Sequence, residues 1–192
     1  MARRAALALS AIALLVLAGT ASAQKTQERQ GFYASFGIGG GSAGASCDDC
    51  GDIGRESSTA MFVNFGGTVR PNLLIGGEIN GWAKSENDAD WVVSSLMAVA
   101  HYYPSVTNGL FISGGLGFTQ GSIDDGVDEL TSSGVGIQLG GGYDWRVAKS
   151  FSLTPYVQYV RAFAAEAKLN DTGLGEDLNP NFFQVGLGFT WH

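Results

Sequence analysis

From Phe32 to its last residue the chain keeps a two-residue rhythm. The final stretch places Phe183, Val185, Leu187, Phe189 and Trp191 on one side and Gln184, Gly186, Gly188, Thr190 and His192 on the other. Such a period belongs to β-strands, whose successive side chains point to opposite faces. Eight segments share it: Phe32–Gly40, Ser58–Val69, Leu73–Trp82, Asp90–Tyr103, Leu110–Thr119, Ser132–Trp145, Phe151–Phe163 and Asn181–Trp191. Helical periodicity is almost absent. The segments run nine to fourteen residues, nearer the ~9–11 of a bilayer-crossing strand than the ~5–6 of a globular one.

Alternation alone fits a sandwich, a lipocalin-like carrier or a membrane barrel. The content of the two faces separates them. One side repeats Phe32/Phe36/Ile38, Met61/Val63/Phe65, Leu73/Ile75/Ile79, Val92/Leu96/Ala98, Leu110/Ile112/Leu116/Phe118, Val135/Ile137/Leu139/Tyr143, Leu153/Val157/Tyr159 and Phe183/Val185/Leu187/Phe189 with hardly a charge. The other carries Ser35, Asn64, Glu78, Asn80, Ser95, Ser113, Gln138, Asp144, Ser152, Thr154, Gln158 and Gln184. A soluble barrel would set Lys, Glu and Arg on its wet face, whereas Ser, Asn, Gln and Gly suit a narrow polar lumen inside an apolar band. The 29 glycines among 192 residues point the same way, because a tightly curved small barrel needs bends and close approaches.

The connections alternate in length. Arg70–Asn72, Pro104–Gly109 and Arg146–Ser150 are short, while Gly41–Ser57, Ala83–Ala89, Gln120–Thr131 and Ala164–Pro180 are long. In an up-and-down meander the short ones share one rim and the long ones the other. Fifteen of the eighteen acids fall in or beside the long connections, against Arg55, Lys84 and Lys168. Aromatics gather at strand ends, with Phe32, Tyr33, Tyr102, Tyr103, Tyr143, Trp145, Phe151, Phe189 and Trp191 toward the short-turn rim and Trp82, Trp91, Phe118, Phe163 and Phe182 toward the other. Two interfacial girdles are therefore expected.

Ahead of the strands, Arg3-Arg4, an apolar run from Ala5 to Gly19 and Ala21-Ser22-Ala23 have the form of a secretory signal peptide over residues 1–23, leaving a single β-barrel domain at 24–192. The apolar run falls short of the ~20 residues of a spanning helix. Without the leader, nine basic residues face eighteen acids, a formal charge of −9. Such a chain is a poor nucleic-acid binder.

These features together resemble the small eight-stranded outer-membrane β-barrel proteins of Gram-negative bacteria, the group containing the OmpA transmembrane domain, OmpX and the opacity proteins. The resemblance spans the mature chain and is architectural. It implies an eight-stranded antiparallel up-and-down transmembrane barrel in the outer membrane, with short turns and both termini periplasmic and long loops extracellular. It also implies a lipid environment, a C-terminal strand read by the barrel-assembly machinery, and a role as membrane anchor, adhesin or structural surface protein. The family's assembly signal ends on the aromatic; here His192 follows Trp191 and is expected to be a dispensable tail.

Cys47-Asp48-Asp49-Cys50 in an exported chain is expected to be a local loop disulfide, since its acidic surroundings disfavour a redox thiolate and zinc would need further ligands. Gly39-Gly40-Gly41-Ser42-Ala43-Gly44 matches a phosphate-loop pattern but opens no helix. Asp124, Asp125, Asp128 and Glu129 could bind a divalent cation, although their spacing is not that of an EF-hand. Glu78 and Asp144 are expected in a lumen polar network with Gln138, Gln158 and Gln184, and Arg70 or Arg161 as counter-charge. His101 and His192 are placed too near the short-turn rim for a hydrolytic triad, so no catalysis and no cofactor are expected. The expected function is a monomeric, non-enzymatic surface role through acidic loops that meet a partner; the alternative is transport, by a narrow pore or as a lipocalin-like carrier.

Overall fold

The computed structural model describes residues 29–47, 53–86, 89–170 and 172–192. The signal peptide, Asp48, Asp49, Cys50, Asp52, Asp88 and Asp171 lie outside them. The alternating segments become strands β1 (Phe32–Cys47), β2 (Ile53–Arg70), β3 (Leu73–Glu86), β4 (Ala89–Tyr102), β5 (Leu110–Asp124), β6 (Glu129–Tyr143), β7 (Trp145–Ala148), β8 (Phe151–Leu169) and β9 (Thr172–Trp191). Chain neighbours pair antiparallel except β6 and β7, which both pair with β8, and β9 returns to β1 from Ala34↔Trp191 to Cys47↔Leu178. The ring has eight staves, because β6 and β7 share one position against β8.

The split has a local cause. On β8 the ladder to β6 ends at Tyr156 and the ladder to β7 starts at Leu153. Between them sits Pro155, which has no N–H to give. Opposite this gap Asp144 leaves the strand, donating its N–H to Gly109 O at 2.9 Å.

All twelve polar residues assigned to the inner face are buried, and no residue assigned to the apolar face is. Leu116 at 64% exposure and Phe118 at 69% stand fully outward, as a lipid-facing wall requires. Glycine lets the wall coil: a Cβ on Gly39 would lie 2.1 Å from Val185 O, and one on Gly186 would lie 2.3 Å from Ile38 O. Over Gly37 the rings of Phe62 and Tyr156 occupy the space a side chain would need.

Two expectations are corrected. The long connections are largely strand. β5 and β6 pair out to Asp124↔Glu129, and β8 and β9 to Leu169↔Thr172, so hairpins project beyond the apolar band and end in tight tips. Ladder hydrogen bonds carry on where neither face meets lipid, and the sequence there loses its alternation. The girdles are also thinner than expected. Phe32, Tyr102, Phe151 and Trp191 face outward at one rim and Phe118 and Phe163 at the other, but Tyr33, Tyr103, Trp82 and Phe182 are buried inside and Trp91 packs edge-on against Trp82.

Candidate functional site

The interior is filled in three layers. Beneath the projecting hairpins, Ala43, Ala60, Trp82, Val93, Met97, Val99, Val160 and Phe182 form an apolar layer. These residues fall on the inward phase of their strands, so small residues on β1 and β2 leave room for the indole and the phenyl ring.

The middle layer is polar. Glu78, fully buried on β3, accepts hydrogen bonds from Asn64 Nδ2 at 2.6 Å, Gln138 Nε2 at 2.7 Å and Gln158 Nε2 at 2.6 Å. Gln184 donates to Asn80 Oδ1 at 2.9 Å and to Gln158 Oε1, and Asn80 donates to Gln138 Oε1 at 3.0 Å. Asn64 also meets His101 Nε2 at 3.2 Å, and that ring stacks on Phe111. Amides from three strands, β2, β6 and β8, thus converge on the Glu78 carboxylate and satisfy it in place of a cation. Arg70 is exposed and Arg161 lies on the outer wall, so neither supplies the expected counter-charge. Strand parity does place them: Arg161 shares the outward phase of Tyr159, and a bulge between Thr68 and Arg70 redirects the strand end.

The third layer closes the short-turn end. Asp144 accepts from Tyr103 Oη at Oδ2 (2.7 Å) and from Thr154 Oγ1 at Oδ1 (2.8 Å), with His192 Nε2 3.3 Å from the same Oδ2. Both the Asp144 and His192 side chains are 1% exposed. His192 is therefore no free tail. Its inward phase, continuing Gln184 and Thr190, turns the imidazole onto a buried carboxylate. Arg29 completes the seal, with its Cζ 3.5 Å over the Tyr103 ring and Nη2 donating to Asn108 O at 2.8 Å. Between the polar and closing layers remains about 20 Å³ open to the centre of a water, lined by Tyr33, Glu78, His101, Asp144 and Tyr156 among others. That holds a water or two and no organic substrate.

Outside the band the charges are spent on local structure. Lys84 meets Glu56 at 2.6 Å and also Glu86; these contacts raise the lysine above its ordinary value and lower Glu86. At the β5–β6 tip Asp125 Oδ1 accepts from the N–H of Asp128 at 2.8 Å and of Val127 at 3.0 Å, which lowers its pKa, while Asp124 Oδ1 accepts from Gly126 N–H at 2.8 Å. Asp128 Oδ1 takes a hydrogen bond from Asn170 Nδ2 at 2.7 Å. Among the described residues no three acids, histidines or cysteines converge to hold a metal ion, so the tip acids shape a turn rather than a cage. Cys47 is disulfide-bonded; Cys50 lies outside the described residues.

Solved structures with this fold include Neisserial surface protein A, at 16% identity and a TM-score of 0.61 over 86% of this chain and 99% of that one. Ail, the attachment invasion locus protein of Yersinia pestis, aligns at 14% identity and a TM-score of 0.52 over 86% of this chain and 100% of its own. OprG from Pseudomonas aeruginosa aligns at 17% identity and a TM-score of 0.50 over 87% and 99%. No curated protein matches the sequence. The model of the outer membrane protein beta-barrel domain matches residues 11–190, nearly the whole chain. The chain belongs to the outer-membrane protein β-barrel domain family.

Proposed function

We propose that the protein is a non-enzymatic surface-interaction barrel, inserted as a monomer with its hairpins outside the cell and its short turns and both ends of residues 24–192 in the periplasm. The leader is removed at residue 23, Cys47 pairs with Cys50, and the C-terminal strand is what the assembly machinery reads.

One observation carries this reading. The interior is packed shut, while the projecting hairpins set like charges directly across from each other: Asp90↔Asp124, Asp124↔Glu129 and Glu166↔Asp177. Facing acids destabilise a ladder, and a basic partner would relieve them. The working surface is thus the rim, and its partner is positively charged. Ail, an attachment invasion locus protein, has a similar fold, which agrees with this reading at the level of architecture. In this reading the histidines serve the packed interior: His101 stacks on Phe111 and His192 lies on Asp144.

Two measurements test it. In planar bilayers the folded protein should give no conductance; stable channels would favour a pore. On intact cells the Asp125–Asp128 and Asn170 tips should be cleaved by added protease, and protection of both would overturn the orientation.

A further inference from the structure

The outer wall is almost uncharged within the apolar band, with one exception at its upper edge. Along the outward phase of β8 the residues are Phe151, Leu153, Pro155, Val157, Tyr159, Arg161 and Phe163. Ten residues of strand tilted by ~40° climb about 25 Å, the height of a bilayer-facing band. Arg161 therefore stands at that edge. It pairs in register with Asn181 of β9 and with Ile137 of β6. From the opposite side Arg55 of β2 reaches across β1, donating from Nη1 to Asn181 Oδ1 and from Nε to Ser42 Oγ at 3.2 Å. The Arg55 guanidinium thus covers Asn181, which is only 8% exposed, and Arg161 is the register neighbour of Asn181 on the other side.

The arginines differ in what holds them. Arg55 is anchored by Ser42 and Asn181. Among the described residues Arg161 has the Phe163 ring, 5.3 Å from its Cζ, and no hydrogen-bond partner for its buried Nε. Neither forms a salt bridge among the described residues; Glu56, next to Arg55, pairs with Lys84, and on β8 and β9 Glu166 and Asp177 lie further out, beyond Phe163 and Asn179. A cation at the lipid boundary with no protein anion is costly unless the solvent supplies one. Directly below, Phe183 and Tyr159 continue the apolar wall.

We propose that Arg55 and Arg161, bridged by Asn181 and Ser42, form a binding site for the phosphate of an outer-leaflet lipid headgroup, with the acyl chains lying along Tyr159 and Phe183. Guanidinium forks suit phosphate oxygens, giving paired charge-assisted hydrogen bonds. The site rests on the hairpins being extracellular, because lipid A supplies the phosphate only in that leaflet.

The test uses the full folded chain in zwitterionic micelles. Native mass spectrometry follows retention of lipid A, of phosphatidylcholine and of inorganic phosphate by the wild type, Arg55→Gln, Arg161→Gln and the double variant. The expected result is lipid A retained at least tenfold more tightly than phosphatidylcholine, with each single variant weaker and the double variant reduced to the phosphatidylcholine level. Melting by circular dichroism confirms that the variants are folded; a double variant that is folded and keeps lipid A overturns the site. Inorganic phosphate competing at equal concentration overturns the headgroup as occupant. Should the tips prove protected on intact cells while the arginine dependence persists with phosphatidylglycerol, the site stands and the orientation falls.

Discussion

The band and the projecting hairpins are made of the same strands, yet they obey different rules. Within the band each residue is judged twice, by lipid on one face and by a packed interior on the other. Beyond it the lipid-side demand disappears, the inner face keeps only a small apolar cluster of Ala45, Cys47, Ala167 and Leu178 among the described residues, and the outer face is spent on charge and turns. Trp82 and Lys84 show the change within three residues of β3: one is 1% exposed under Phe182, the other spans Glu56 and Glu86 in open solvent. Energetic sensitivity should therefore fall steeply along a single strand.

The largest effect is expected from Trp82→Ala, which empties the apolar layer. A loss of ~3–5 kcal/mol is the usual cost of such a truncation, read from urea unfolding in detergent. A loss under ~1 kcal/mol would mean the layer is loosely packed. Next comes Glu78→Ala, which strands the amides of Asn64, Gln138 and Gln158 inside the barrel. A cost of ~2–3 kcal/mol follows from leaving buried donors unpaired after removing a charged acceptor, whereas Glu78→Gln should cost less by keeping an acceptor oxygen. If Glu78→Ala is neutral, the polar layer is wetter than its packing indicates. On the lipid face, Leu116→Arg should cost ~2–4 kcal/mol or block insertion. Arg substituted at Leu174, in the β9 projection, should cost almost nothing, and equal penalties at the two positions would erase the boundary between the regions.

Removing His192 is expected to loosen the short-turn end by uncovering Asp144, with faster amide exchange at Tyr103 and Thr154 while the hairpins stay unchanged. An unaltered exchange pattern would return the residue to the status of a tail. The smallest effect is at the β5–β6 tip. Backbone N–H groups of Asp128 and Val127 hold the Asp125 carboxyl below its ordinary value. Its contribution is thus present above the unfolded aspartate value of ~3.9 and is lost as pH falls through the lower folded value. The amide shifts of Val127 and Asp128 should titrate with a midpoint below pH ~3.9 and should stop responding in Asp125→Asn; a midpoint above that value would dissolve the turn.

This contrast also explains what could be read in advance. Phe183 and Gln184 announce their faces because lipid and lumen demand opposite chemistries, and Val157 and Gln158 do the same on the neighbouring strand. In Ser122–Asp124 no such demand exists, and in Glu166–Leu169 it rests on one small residue, Ala167, so strand and loop compositions look alike. Buried aromatics were hidden for another reason. A ring near a strand end satisfies an interfacial girdle and an interior layer equally well by composition, and only parity separates Phe182 from Phe183. Glu78 and its three amides lie on predictable faces, yet which donors meet it depends on the stagger between strands and on closure of β9 against β1. A lone buried carboxylate is usually matched by charge, which points from sequence to Arg70 or Arg161. Amides drawn from β2, β6 and β8 do the work here, and their convergence spans up to 80 residues of sequence.

The closing of the short-turn end by Arg29 and His192 has a practical corollary for anyone who handles the protein. A purification tag joined directly after His192 would draw the imidazole away from Asp144 and wedge a linker into the seal, whereas an insertion between Asp125 and Asp128 would disturb an outer turn whose tie to its neighbour is the contact with Asn170. Reporter epitopes and display cargo belong at that tip rather than beside His192.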